Sequence, residues 1–196
     1  MTHSAAPLPQ AFYDRSAAEV AMDLLGAELS HESTAGVIVE TEAYLMDDPA
    51  CHAYNGVTPR SRVMFGEPGR AYVYLSYGCH WLLNAVADRQ GVGSAALIRA
   101  LEPTRGLDIM RARRPAARND RDLASGPGRL SQALGLSKEH NGTPLWDGPL
   151  AIRPADKPAG AVVVSKRVGI SKGASLPLRF YLADNPHVSK RARRAR

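Results

Sequence analysis

The stretch GVIVETEAY, residues 36–44, decides how the chain is read. Its early β-branched run, Val37-Ile38-Val39, favours an extended strand over a helix. Side chains alternate across a strand, so Glu40, Glu42 and Tyr44 are expected on one face, with Val37, Val39, Thr41 and Ala43 as core positions on the other. Two glutamates and a tyrosine on one face fit a pocket wall or a solvated strand surface, and the pattern does not choose between them. A carboxylate held among aromatics can serve as a general base, which makes this face the first candidate site.

Beyond the strand, residues 46–62 form a polar loop broken by Pro49, Gly56 and Pro59. Asp47, Asp48 and His52 stand near Glu42 in sequence, but their spacing matches neither a zinc nor a calcium loop, so no metal is expected. RAYVYLSYGCHWLLNAVA (70–87) reads as a β-hairpin turning at Tyr77-Gly78-Cys79-His80. Tyr72 and Tyr74 share a face, while Tyr77 has the opposite parity and sits at the turn. A tyrosine there either wedges between stacked bases or folds back over the sheet. SAALIRAL (94–101) offers a third strand.

Upstream, Ser16 with Glu19 three residues on starts an amphipathic helix over AAEVAMDLLGAEL. Downstream, a helix is expected after Pro103 in GLDIMRARR, and another from Pro127 to Gly135. PLAI, AVVVSKRVGI and PLRFYLA supply three short strands. Without regular β-α-β alternation, the class is α+β with a largely antiparallel sheet in a single compact domain over 1–187. Residues 188–196 read as a basic, disordered tail.

The chain of 196 residues can bury a core, and its 44% hydrophobic and 22% charged content is globular. Its longest apolar runs are too short to span a bilayer, and the first residues lack the pattern of a secretory leader. Two cysteines, Cys51 and Cys79, give no disulfide framework and suit a reducing, cytoplasmic compartment. A net charge of +6 favours an anionic partner such as nucleic acid, with Arg105, Arg111, Arg113, Arg114, Arg118, Arg121 and Arg129 concentrated in one stretch. These residues suit an enzyme acting on a base or a non-catalytic module that stacks RNA bases.

Taken in series, VETEAY, TPRSRVMF, PGRAYVYLSYG, LIRALEP, SGPGRLSQAL, RVGI and PLRFYL resemble the alkyladenine (3-methylpurine) DNA glycosylases of the mammalian type and their bacterial relatives. The resemblance runs from about residue 10 to about residue 183. It implies a curved antiparallel sheet flanked by helices, with a protruding hairpin that enters the DNA minor groove. It implies a monofunctional enzyme of base-excision repair, acting as a monomer on double-stranded DNA that contains damaged purines, in the cytoplasm at the nucleoid. Candidate lesions are 3-methyladenine, 7-methylguanine, hypoxanthine and ethenoadenine.

By the same resemblance Glu42 is the general base that activates water, and Arg99 helps to position that water. Tyr44, His52 and Tyr74 sandwich the flipped base, Asn84 crowds the 2-amino group of guanine, and Tyr77 intercalates. Arg60 and Arg62 are expected on the DNA backbone. No cofactor and no metal enter this scheme. Two departures from the family pattern stand out: the loop between Tyr44 and His52 is a residue shorter, and Cys79-His80 replace a methionine and an aromatic beside Tyr77.

Overall fold

The computed structural model describes residues 5–156 and 159–189. Its strands are β1 (Glu28–His31), β2 (Thr34–Tyr44), β3 (Ala71–Ser76), β4 (His80–Ala87), β5 (Ser94–Arg105), β6 (Leu150–Arg153), β7 (Val162–Ser165) and β8 (Arg179–Leu182). They join in one antiparallel sheet ordered β3-β4-β5-β2-β1-β6, and β8 pairs with both β2 and β7. The helices are α1 (Gln10–Tyr13), α2 (Ala17–Asp23), α3 (Leu107–Arg113), α4 (Asp120–Ala124) and α5 (Pro127–Leu134). The α+β class and the antiparallel sheet agree with the sequence reading. Among the described residues no helix is long and apolar enough to cross a membrane.

Helix α2 begins where Ser16 predicts: its hydroxyl accepts from the Glu19 N–H at 3.4 Å. It ends earlier than its apolar pattern suggests. Gly26 takes a left-handed φ of 86°, which stops the helix and lets Glu28–His31 become β1. Helices α2 and α5 bury Val20, Leu24, Leu130 and Leu134 against Ile38, Ala43, Leu83 and Ile98 of the sheet. Each such side chain contributes about 1.5–3 kcal/mol by leaving water. Strand β5 passes through Pro103, where helix was expected to take over soon after. Pro103 is tolerated because it lies opposite Gly36 beside a register shift, where a missing N–H costs little.

The arginine-rich stretch is largely tied up within the fold. Arg111 binds Asp108 at 2.6 Å and Asp120 at 2.7 Å, Arg114 binds Gln132 at 2.8 Å, and Arg129 reaches Asp122 at 3.3 Å. These contacts tie α3, α4 and α5 to one another. Val188 and Ser189, which the sequence reading assigns to the tail, belong to the body: Val188 is buried with Val39, Ala100 and Tyr181, and the Ser189 N–H binds Glu40. The rest of the expected tail lies outside the described residues.

The central pair β2–β5 carries the feature that shapes the site. Ile38 pairs with Leu101 and Thr41 with Ile98, as a regular ladder requires. Between them Glu40 pairs with Ala100, so Val39 and Arg99 each lack a ladder partner. Between these two pairs each strand therefore carries one bulge, and each changes face there. The expected grouping of Val37 and Val39 with Thr41 and Ala43 is corrected by this. Val37 and Val39 pack with Tyr181 and Val188, whereas Ala43 joins the helix-covered core and the Thr41 hydroxyl donates to Ala21 O at 2.6 Å.

Candidate active site

The bulge in β5 turns the Arg99 side chain onto the face that carries Glu40, Glu42 and Tyr44. Arg99 Nε donates to Glu40 Oε1 at 2.8 Å, and its Nη1 lies 3.4 Å from Glu42 Oε2. Arg179 Nε also donates to Glu40 Oε1, at 2.8 Å, and the Ser189 N–H donates to Oε2 at 2.7 Å. Glu42 Oε1 accepts the Val168 N–H at 2.7 Å, and Oε2 accepts the Tyr44 hydroxyl at 2.9 Å. Both glutamates are fully buried. The solvated-surface alternative for this face is therefore excluded.

The two carboxylates titrate in opposite directions. Burial pushes Glu40 up, but Arg99, Arg179 and the bonds from Ser189 outweigh it and hold Glu40 below its ordinary value. Burial also pushes Glu42 up, and here it prevails over the more distant Arg99, the Val168 N–H and the Tyr44 hydroxyl; the charge on Glu40 adds to the rise. Carboxylates whose environments push them apart are the usual mark of different roles. Glu42 is the better proton acceptor of the two. A carboxylate offers about four acceptor positions, so the contacts to Val168, Tyr44 and Arg99 leave roughly one for a water.

In front of this wall lies a cavity of about 560 Å³. Tyr44, His52, Arg60, Tyr74, Tyr77, Asn84 and Arg99 all line it, so seven of the residues singled out from the sequence meet at one place. Glu42 lies directly behind, bonded to Tyr44 and next to Arg99. Arg62 is exposed on a short 3₁₀ turn and does not line the cavity. Asp48, once a possible metal ligand with Glu42 and His52, pairs instead with Arg167. No group of three metal-ligating side chains occurs among the described residues.

The rings have a defined arrangement. His52 and Tyr74 meet edge to face at 4.6 Å, and Tyr74 stacks on Tyr72 at 5.3 Å. His52 and Tyr74 therefore form one wall, with no gap between their rings for a flat ligand, and the Arg60 guanidinium lies 4.9 Å over the Tyr74 ring. The Tyr72 hydroxyl and His52 Nδ1 are 2.8 Å apart, which sets the imidazole's orientation. Loss of hydration and the nearby Arg60 charge push His52 down to about 4, although it stands at the open rim. The Asn84 amide donates to Tyr72 O at 3.0 Å, which fixes it against the cavity.

At the hairpin tip Tyr77 and Gly78 both take left-handed conformations, φ 49° and 71°, closing the tight turn that joins β3 to β4. That conformation costs a bulky residue about 1–2 kcal/mol. Tyr77 is 90% exposed, so no burial offsets the cost, and the fold-back alternative is excluded.

The sequence reading missed Arg167, Val168, Tyr72 and Arg179. Arg167 is buried, stacks 4.6 Å over the Tyr44 ring, and donates to Ala43 O. Its one sequence signal is an arginine next to the apolar end of AVVVSKRVGI; the contact itself spans over a hundred residues. Val168 acts through its backbone, which no residue type reveals.

Residues 11–186 match the family model described as methylpurine-DNA glycosylase. A protein of Methanoculleus marisnigri named "Putative 3-methyladenine DNA glycosylase" is 54% identical over 191 residues, covering 94% of this chain and 99% of its own. Proteins of the same name from Rhodopseudomonas palustris (52% identity; 93% and 90% covered) and Rhizobium meliloti (51%; 92% and 95%) align over similar lengths. The chain belongs to the methylpurine-DNA glycosylase family. It is a DNA-repair hydrolase that acts on N-glycosyl bonds, and DNA is its substrate.

Proposed function

We propose that the enzyme removes alkylated and deaminated purines from duplex DNA as a monomer, by hydrolysis with Glu42 as general base. The observation that carries this reading is the buried Glu42 carboxylate, held by Tyr44, Val168 and Arg99 behind an aromatic cavity. A base inside a duplex is unreachable and must rotate out, at a cost of a few kcal/mol. Tyr77, exposed at the hairpin tip, enters the minor groove and fills the gap, offsetting the lost stacking.

The extruded base lies between Tyr44 and the wall made by His52 and Tyr74. A cationic alkylated purine gains cation–π attraction there, and a His52 held neutral adds no repulsion. Glu42 takes a proton from the attacking water while its charge stabilises the oxocarbenium-like sugar. Arg99, beside Glu42 Oε2, orients that water. The bond between base and sugar breaks and water's oxygen goes to C1′, giving an abasic site and a free base: a cationic alkylated purine leaves neutral, and a neutral lesion such as hypoxanthine takes up a ring proton from solvent as it leaves. Asn84 stands where the 2-amino group of guanine would clash, which rejects the normal base. Arg60 and Arg62 meet the DNA backbone. No lysine nucleophile takes part, so the strand stays intact. The same support favours the relatives' printed substrate, 3-methyladenine, with 7-methylguanine, hypoxanthine and ethenoadenine as further lesions.

Single-turnover excision on duplexes bearing hypoxanthine, or methylated to carry 3-methyladenine and 7-methylguanine, tests this with EDTA present throughout. Wild type releases base, and Glu42→Gln binds lesion DNA without releasing it. Lesion-selective binding by wild type with no release would instead make the protein a damage-binding decoy.

A further inference from the structure

Glu40 is buried, makes three close contacts, and has no part in the scheme above. Neither glutamate lines the cavity, but all three partners of Glu42 (Tyr44, Val168 and Arg99) do, whereas of Glu40's partners only Arg99 does, so Glu40 stands one layer further from substrate. Yet Oε1 receives both Arg99 Nε and Arg179 Nε at 2.8 Å, and Oε2 receives the Ser189 N–H at 2.7 Å. Arg99 is also held through Nη2, which donates to the Ser189 hydroxyl at 3.4 Å. Only its Nη1 edge remains for Glu42, at 3.4 Å. One arginine thus serves two carboxylates, at unequal distances.

We propose that Glu40 is a positioning residue for the excision step: with Arg179 and Ser189 it clamps Arg99 and takes the larger share of its charge, leaving Glu42 a loosely paired, basic carboxylate. This inference rests on Glu42 being the general base. The groups facing Glu42 are Arg99 from β5, Glu40 and Tyr44 from β2, Tyr74 from β3, Arg179 opposite it in β8, and Arg167 beside Val168. Among the described residues, two arginines and two glutamates meet at the β2–β5–β8 junction, while Arg167 is paired with Asp48. Removing one member shifts the balance at Glu42 in a direction set by the sign of the charge removed.

Glu40→Gln leaves one excess positive charge and frees Arg99 to move onto Glu42. Glu42 then loses its proton more readily but is tied up as a base. Arg179→Met does the reverse: Glu40 draws Arg99 more strongly, one excess negative charge remains, and Glu42 keeps its proton to higher pH. A purely structural role moves neither quantity.

The test is single-turnover excision against pH on a duplex bearing 7-methylguanine, whose cationic ring needs no proton. The acid limb of the profile then reports on Glu42. For Glu40→Gln the limb moves about one unit lower and the plateau falls about tenfold; for Arg179→Met it moves about one unit higher. Glu40→Asp keeps the charge and leaves the limb in place on a lower plateau. Limbs that coincide with wild type, or any displacement other than these opposite ones, overturn the proposal. If Glu40→Gln does not fold, the direction of the Arg179→Met limb decides alone. Wild type that releases no base, or Glu42→Gln that releases it at the wild-type rate, overturns the general-base reading instead.

Discussion

At the β2–β5 wall each carboxylate oxygen of Glu40 and Glu42 has a partner and neither residue touches solvent. At the hairpin tip, on the same cavity, Tyr77 is 90% exposed, has a left-handed backbone and packs against nothing that repays it. The wall is finished before any ligand arrives. The tip is left unsatisfied, and its aromatic ring finds a partner only when something outside the protein supplies one. Preorganised charge suits chemistry, because it need not rearrange during reaction. Stored strain and exposed apolar surface suit recognition, because binding relieves both.

The comparison is broken most directly at the wall. Glu42→Gln is expected to lower the single-turnover rate about 10²–10⁴-fold while lesion binding, measured by anisotropy, stays within a few-fold. Arg167→Met tests whether the wall is a structural unit. It leaves Asp48 buried without its partner and removes the cation from the Tyr44 ring, so stability falls by about 3–5 kcal/mol in urea unfolding. A loss below about 1 kcal/mol would mean that the wall does not depend on this pair.

At the tip the expected signs separate. Tyr77→Gly weakens lesion binding about 5- to 150-fold, the worth of one stacked aromatic. The same change leaves folding unharmed and stabilises it by up to about 1 kcal/mol, since glycine accepts a φ of 49°. Loss of stability together with binding would show that the tip is packed after all.

The smallest effect concerns His52, at the border of the two regions. Its folded value lies below the ordinary 6.5, so the unfolded chain takes up this proton more readily. Its contribution to stability is complete above about pH 6.5 and declines as pH falls toward 4. An NMR titration of the imidazole should find its midpoint well below 6.5, and His52→Gln should flatten the stability curve over that window. A midpoint at 6.5 would remove the case for a neutral ring facing a cationic base.

The regions also differ in how legible they are in sequence. The tip could be read locally: Tyr77-Gly78 between two alternating runs specifies a tight turn, and Tyr77's parity marks it as odd. The strand GVIVETEAY was equally plain, and so was the shared face of Glu40, Glu42 and Tyr44. What surrounds those glutamates was not. Arg179 and Ser189 reach Glu40 from the far end of the chain, and Val168 contributes only an N–H. The bulge partners Val39 and Arg99 defeat simple alternation, because a residue outside the ladder changes the parity of all that precede it. Gly26 hid β1 in the same way, since the apolar pattern runs on past a helix that the backbone has already ended.

The two bulges resemble a pair of crystal dislocations of opposite sign. Each alone would slip the ladder by a residue and turn over every side chain from there to the strand end. Together they cancel, and the strands are back in step by the Thr41–Ile98 pair. The distortion that turns Arg99 toward the glutamates is therefore confined to a few residues, and the sheet on either side carries no trace of it. Deleting Val39 alone, or Arg99 alone, would leave its partner uncompensated, whereas deleting both would restore a regular ladder through this stretch, from which the site is gone.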